Sequence, residues 1–230
     1  MNILHLETAT DICSVAISRL KELLSYRHSV KRNSHAEILN TLVQQSLDDA
    51  RLRMSDLDAV AVSSGPGSYT GLRIGLSTAK GLCYALGIPL IGISTLDALA
   101  QAAIAAHGDR EAYYLPMIDA RRMEVYTAVY DSEGERVEPV QSHIFSETSF
   151  ADRLAQGHRL LLFGNGAAKS KPLLTSEQIA YIDLACDARH LVAPATLRYE
   201  REQFDDVAYF APTYHKSPNI TVSKKKPLGV

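Results

Sequence analysis

The chain has 230 residues, 46% of them apolar and 22% charged; these values lie near globular averages and exclude global disorder and fibrous structure. That length supports one large domain or two small ones, with a core that needs neither disulfides nor a structural metal. The 24 Lys and Arg against 26 Asp and Glu leave a net charge of −2, so the basic excess of a protein that grips nucleic acid by itself is missing.

Three short runs open the chain: Ile3 to Leu6, Val15 to Ser18 and Leu23 to His28. Their Val, Ile and Tyr content and the breaks between them read as a strand meander. Ser34-His35-Ala36-Glu37 has the pattern of a capping box, and Ile38, Leu39, Leu42, Val43 and Leu47 behind it form an apolar stripe at helical period. A buried-type strand over Asp58 to Ser63, a helix over Thr70 to Leu86, a strand over Leu90 to Ile93 and an alanine-rich helix over Leu96 to Ala106 follow. Three strands and then helix, strand, helix, strand, helix is the order of an RNase H-like α/β fold.

After Gly108 the pattern starts again. Tyr114 to Asp119, a tight turn at Ala120 to Arg122, and Glu124 to Tyr130 repeat the first hairpin, with an acid (Glu7, Asp119) ending the first strand of each. A third strand (Val137 to His143), a helix (Ser149 to Gln156), a strand (Leu160 to Phe163) and a C-terminal helix (Ala188 to Glu202) are expected beyond it. The division is therefore an N-terminal lobe over 1–108, a smaller C-terminal lobe of the same kind over 109–215 with a cleft between them, and a flexible basic tail over 216–230.

The longest uncharged stretch, Gly81 to Leu96, contains Pro89 and falls short of the roughly 20 apolar residues a membrane span needs. The first residues lack the basic region and cleavage site of a signal peptide. Cys13, Cys83 and Cys186 are odd in number and far apart, which favours a reducing compartment over a disulfide framework. The reading is of a soluble cytoplasmic protein with no membrane contact.

The densest local signal is the glycine-rich run Ser63 to Gly75, between a strand and a helix. It fits neither the Walker A pattern, which needs a Lys, nor Gly-x-Gly-x-x-Gly, since Thr70 stands where the third Gly belongs; a phosphate cradle and a structural tight turn both remain open. Along the following helix Gly71, Gly75, Ala79 and Cys83 form a ridge of small side chains that would let a second helix approach closely, while Arg73 and Lys80 share one face. The helix is either sandwiched in the core or shared with another subunit. No His-x-x-x-His, Cys-x-x-Cys or Gly-x-Ser-x-Gly occurs, which argues against a zinc protease or a serine hydrolase. The Asp119 to Glu124 turn and Gly164-Asn165-Gly166 have bland readings as a surface hairpin and a strand-to-helix turn. The enzyme reading is an actin-like ATP-dependent phosphotransferase, with Glu7 or Asp119 as a metal-binding acid and the Gly65 and Gly164 loops around phosphates.

The run Gly65-Pro-Gly-Ser-Tyr-Thr-Gly-Leu-Arg-Ile-Gly, with Ala79-Lys80-Gly81-Leu82, Ile93-Ser-Thr-Leu-Asp-Ala-Leu99 and Asp119-Ala-Arg-Arg-Met-Glu-Val-Tyr126, resembles the TsaB (YeaZ) family. Pro212-Thr213-Tyr214 resembles its C-terminal Pro-x-Tyr, although Tyr214-His215-Lys216 departs from the expected Tyr-Leu-Arg, and Glu7 stands where members more often have Asp. The resemblance implies an actin-like fold of two RNase H-like lobes and a non-catalytic cytoplasmic subunit without a cofactor. Its partners would be a TsaD-like catalytic paralogue and a TsaE-like P-loop ATPase, with tRNA met only within that complex. Where the catalytic paralogue has His-Leu-x-Ala-His, this chain reads Thr95-Leu96-Asp97-Ala98-Leu99, which removes both metal-binding histidines. The partner surface is expected on the two N-terminal helices, at His35, Ile38, Leu39, Leu42, Gly71, Leu72, Arg73, Gly75, Leu76, Ala79 and Lys80, and the isolated protein would pair with itself through the same helices. Glu7, Thr10, Asp119, Gly164 and Gly166 form the residual nucleotide-binding set.

Overall fold

Ile3, Leu4 and Leu6 ask for a strand covered on both faces, because successive side chains point to opposite sides. In the computed structural model, which describes residues 1–31 and 34–215, that strand, β1 (Asn2–Glu7), lies at the middle of a five-stranded sheet. It pairs antiparallel with β2 (Cys13–Arg19), and β2 with β3 (Glu22–Ser29). On its other side β4 (Ala59–Gly65) and β5 (Leu90–Ser94) run parallel to it. The order is β3-β2-β1-β4-β5.

The second sheet repeats this plan. β6 (Ala112–Asp119) is central, β7 (Glu124–Tyr130) and β8 (Arg136–Ile144) meander away antiparallel, and β9 (Arg159–Phe163) and β10 (Ile179–Tyr181) are parallel. The order β10-β9-β6-β7-β8 is the first sheet's order, strand for strand. The repeat read from the two hairpins is thus present in the topology. β10 has no counterpart in the sequence reading, since three residues carry no period.

Two helices cover one face of the first sheet. α1 (His35–Ala50) packs on β2 and β3 and α2 (Tyr69–Leu86) on β4, and Leu39, Leu42, Val43, Leu47, Leu76, Ala79 and Cys83 enter a common core with Leu4, Leu6, Val15 and Val60. The capping box at α1 does not form: the Ser34 hydroxyl donates to the Lys31 carbonyl at 2.6 Å instead of accepting a helix amide. α2 and α3 (Thr95–His107) are capped by serine, Ser68 accepting from the Gly71 amide at 3.2 Å and Ser94 from the Asp97 amide at 3.3 Å. α3 joins the lobes, with Ala98 in the first sheet's second core and Leu96, Leu99, Ala100 and Ala103 packed on the second sheet. α4 (Ala151–Ala155) is shorter than expected because Phe150 before it takes a left-handed conformation.

The segment from Ala188 differs from its expected place in a lobe spanning 109–215. A single 3-10 turn (Ala188–Leu191) and α5 (Val192–Glu200) return to the first sheet and close its uncovered face with Leu191 and Ala195. Beyond α5 the chain becomes a strap along β5. The Asp205 amide donates to the Leu90 carbonyl (2.9 Å) and the Asp205 carboxylate accepts from the Gly92 amide (2.7 Å). The Phe210 ring lies where any side chain at position 92 would have to go. Lys80 Nζ donates to the carbonyls of Ala208 (2.9 Å) and Phe210 (3.1 Å), and the Thr213 amide donates to the Ser64 carbonyl (2.8 Å). The basic tail proposed for 216–230 lies outside the described residues.

The small-residue ridge of α2 faces inward, so of the two readings open for this helix the core one holds and the ridge is not the partner surface. A Cβ at Gly71 would strike the Thr8 carbonyl and one at Gly75 the Thr8 hydroxyl, while Ala79 and Cys83 are fully buried. The ridge admits the β1–β2 turn and leaves no room for a second subunit. Gly81, one turn beyond on another face, meets nothing. Gly71→Ala should therefore cost about 1–3 kcal/mol through overpacking against backbone, whereas Gly81→Ala should gain up to about 1 kcal/mol from helix propensity. Urea midpoints of the two variants will move in opposite directions.

Candidate functional site: the cleft between the lobes

A cleft of about 780 Å³ separates the lobes. Its first wall is the turn after β1 (Ala9, Thr10, Asp11) with the glycine-rich loop Pro66 to Gly71; its second is Ile118 to Arg121, Tyr126 and Asn165; the strap closes one end with Thr213, Tyr214 and His215.

The first wall is held from behind. Glu7 is buried, and its carboxylate accepts from the Ala9 amide at 2.7 Å. Burial pushes this carboxyl up to about 7, against the amide bonds and the Ser63 hydroxyl that favour the charged form. The Ser68 amide donates to the Ala9 carbonyl at 2.7 Å, and His35 Nε2 lies 2.9 Å from the Thr10 carbonyl. A Cβ at Gly67 would come within 2.6 Å of the Ala9 oxygen, so glycine is required there for contact with the turn.

On the opposite wall Asp119 Oδ1 accepts from the Arg121 amide at 2.6 Å and pairs with Lys169 at 2.7 Å, and the Asp119 amide donates to Asn165 Oδ1 at 3.0 Å. Gly164, with φ +92, donates its amide to the Leu184 carbonyl (3.0 Å), and Gly166 donates to the Met117 carbonyl (2.9 Å). A phosphate cradle needs free amides pointing at the ligand, and these two are already spent on the protein.

Of the residual nucleotide-binding set, only Thr10 and Asp119 line the cleft. Glu7 lies behind its wall, and Gly164 and Gly166 lie under Asn165 as packing glycines. The partner-surface set divides as well. Leu39, Leu42, Gly71, Leu72, Gly75, Leu76 and Ala79 are buried in the first lobe, His35 supports the cleft wall, and Lys80 anchors the strap. Only Ile38, half-buried, and Arg73, exposed, remain on the surface. Unforeseen at the cleft mouth is a cluster of three side chains: the Arg73 guanidinium lies 4.4 Å over the Tyr69 ring, whose centroid is 5.0 Å from that of Tyr214, the two rings tilted by 37°. Tyr69 sits in the glycine-rich run and Tyr214 near the end of the chain, so only the strap brings them together.

Thr95 and Leu99, read in the sequence as standing where the catalytic paralogue has histidines, are both buried. Asp97 is engaged by the Tyr130 hydroxyl (2.5 Å) and by Arg136. No group of three or more His, Cys, Asp or Glu that could hold a metal occurs among the described residues, and no helix among them is long and apolar enough to cross a membrane.

The family model described as "TsaD: tRNA N6-adenosine threonylcarbamoyltransferase" matches residues 29–221. An uncharacterized protein of Mycobacterium tuberculosis is 44% identical over 230 residues, covering 99% of this chain and 95% of its own. The tRNA threonylcarbamoyladenosine biosynthesis protein TsaB of Bacillus subtilis is 29% identical over 220 residues, 93% of either chain. The solved structure of YeaZ from Pseudomonas aeruginosa superposes with a TM-score of 0.75 at 28% identity, covering 93% of this chain and 100% of that one. Two lobes of one topology around a cleft define an actin-like protein. The chain belongs to the TsaD-type family that this model describes and, within it, to TsaB/YeaZ.

Glu7 gives the cleft wall a pH signature. Its folded carboxyl titrates near 7 and its unfolded one near 4.5, so between those values the folded state holds the extra proton. Ionised Glu7 therefore lowers stability above pH 7 by about 3 kcal/mol, and the deficit vanishes as pH falls to 4.5. Glu7→Gln should exceed the parent in stability at pH 8 by an amount approaching this and show no advantage at pH 4.5, read as the difference of urea midpoints. His5, neutral and pushed down to about 3 by burial, tilts the parent the opposite way below pH 6.5, a term that cancels in the difference.

Proposed function

We propose that this protein is a non-catalytic subunit of an assembly that forms the threonylcarbamoyl group on adenosine beside the anticodon of tRNA. It binds and stabilises a TsaD-type catalytic paralogue and helps recruit a TsaE-type P-loop ATPase. The observation that carries this reading is that the buried acid and the loop glycines a metal- or nucleotide-using relative would offer here are engaged by the protein itself. Thr95 and Leu99 replace the expected histidines inside the core, Glu7 serves a backbone turn, and the Gly164 and Gly166 amides close their own loop. A cleft so committed favours architecture over turnover.

The surface that remains for a partner is the outward face of the two N-terminal helices. Ile38 and Ile74 are half-buried there, and Ser77 and Gly81 are exposed, small and unobstructed. Such a face lets a neighbouring helix approach closely. It also serves self-association when the catalytic partner is absent. The compartment consistent with this role is the cytoplasm.

Two measurements test the reading. Tagged protein should co-purify with the TsaD-type subunit of the same organism, and Ser77→Arg should weaken that heterodimer at least tenfold with an unchanged melting temperature. Calorimetry of the isolated chain with ATP and magnesium should give no micromolar binding; binding with turnover would instead establish the phosphotransferase reading.

A further inference from the structure

The geometry points to the Arg121–Arg122 turn, whose Arg121 lines the cleft together with Tyr69 and Tyr214, as a contact for single-stranded RNA. This rests on the tRNA-modifying role proposed above and names where that substrate touches this subunit.

The turn joins β6 to β7 and is closed on both sides. The Ala120 amide donates to the Glu124 carbonyl and the Glu124 amide to the Arg121 carbonyl, each at 3.1 Å, while Asp119 holds the Arg121 amide. Within it Arg121 and Arg122 have φ of 73° and 50°. Consecutive left-handed residues are ordinarily Gly, Asn or Asp, so two arginines there carry strain that those residues would largely avoid. Strain of this kind collects at sites of function. Both side chains are exposed, and neither has an ion pair or an aromatic partner among the described residues. The neighbouring cations differ: Lys169 is paired with Asp119, Arg136 with Asp97 and Arg73 with the tyrosines. Two cations are thus left for a ligand that brings its own negative charge.

The opposite rim supplies what nucleobases need. Arg73 lies over Tyr69 and Tyr214 lies beside it; the two rings are 42% and 41% exposed, and a base stacks on an exposed ring by its π-face whatever its sequence. Cations for phosphates on one wall and aromatic rings on the other is the chemistry of unpaired RNA. An acidic protein segment would use the arginines but not the rings. With a net charge of −2 and two arginines in this turn, the chain alone binds weakly, with a salt slope near −1.4 for two phosphates on a single strand.

The test is fluorescence anisotropy with an anticodon stem-loop RNA and, as control, a blunt RNA duplex of equal length, from 50 to 200 mM salt, on the heterodimer and on the full chain alone. Arg121→Gln with Arg122→Gln should lower stem-loop affinity about tenfold at low salt and flatten the slope by about 1.4. Tyr214→Ala should weaken binding at every salt concentration with the slope unchanged, and Tyr214→Phe should restore it. Arg121→Gly with Arg122→Gly should raise the melting temperature while lowering RNA affinity, a pairing that a merely structural turn would not give. Unchanged stem-loop affinity in the arginine variants, equal loss on the duplex, or loss of the heterodimer with RNA binding intact would overturn the assignment, the last marking the turn as a protein contact. Failure of the parent heterodimer to form removes the subunit reading, while the titrations on the chain alone still decide this one.

Discussion

The turn after β1 meets the start of α2 at a distance that only hydrogen atoms allow. Gly67, Gly71 and Gly75 present bare backbone to Ala9 and Thr8, and any Cβ among them would collide. Much of the molecule depends on that approach. It fixes how α2 lies on β4, it fixes the wall of the cleft, and it requires the buried carboxylate of Glu7 to hold the turn from the other side. The spacing of small residues along α2 is therefore a mould for a loop of the same chain.

The two lobes show how one topology can be put to different uses. Each central strand ends in an acid, Glu7 in β1 and Asp119 in β6. In the first lobe the acid turns inward, is desolvated and organises backbone. In the second it remains near solvent beside Lys169 and steadies a turn that carries two arginines. Glu7 is tied to backbone, and Asp119 is paired with Lys169. The exposed guanidinium groups and tyrosine rings of the cleft stand at its rim.

Most of the elements were legible because their signals are local. Alternation and β-branching mark the strands, the apolar stripe marks α1, and the acid-ended hairpins mark the repeat. Direction was not legible. A ridge of small residues reads the same whether it receives a neighbouring helix or the chain's own turn, and only the position of Thr8 decides. The same holds for Glu7, whose place in the sequence suggests a ligand for metal and whose burial makes it a tie for backbone. Long-range pairings were invisible for a different reason: Lys80 with the strap and Tyr69 with Tyr214 join residues with no shared period or motif. The division at 108 followed from the restart of the hairpin pattern and could not register that Ala188 onward goes back to the first sheet.

That return has a bearing on biogenesis. β5 is an edge strand, and an uncovered edge is a template for pairing with other chains. Its cover, Asp205 against Leu90 and Phe210 over Gly92, is made only after every strand of the second sheet. Nascent chains acquire structure from the N-terminus onward, so throughout translation of the second lobe the first would carry an open seam. Truncation before residue 205 would leave that seam open for good, and aggregation would follow even though every strand of both sheets had been made.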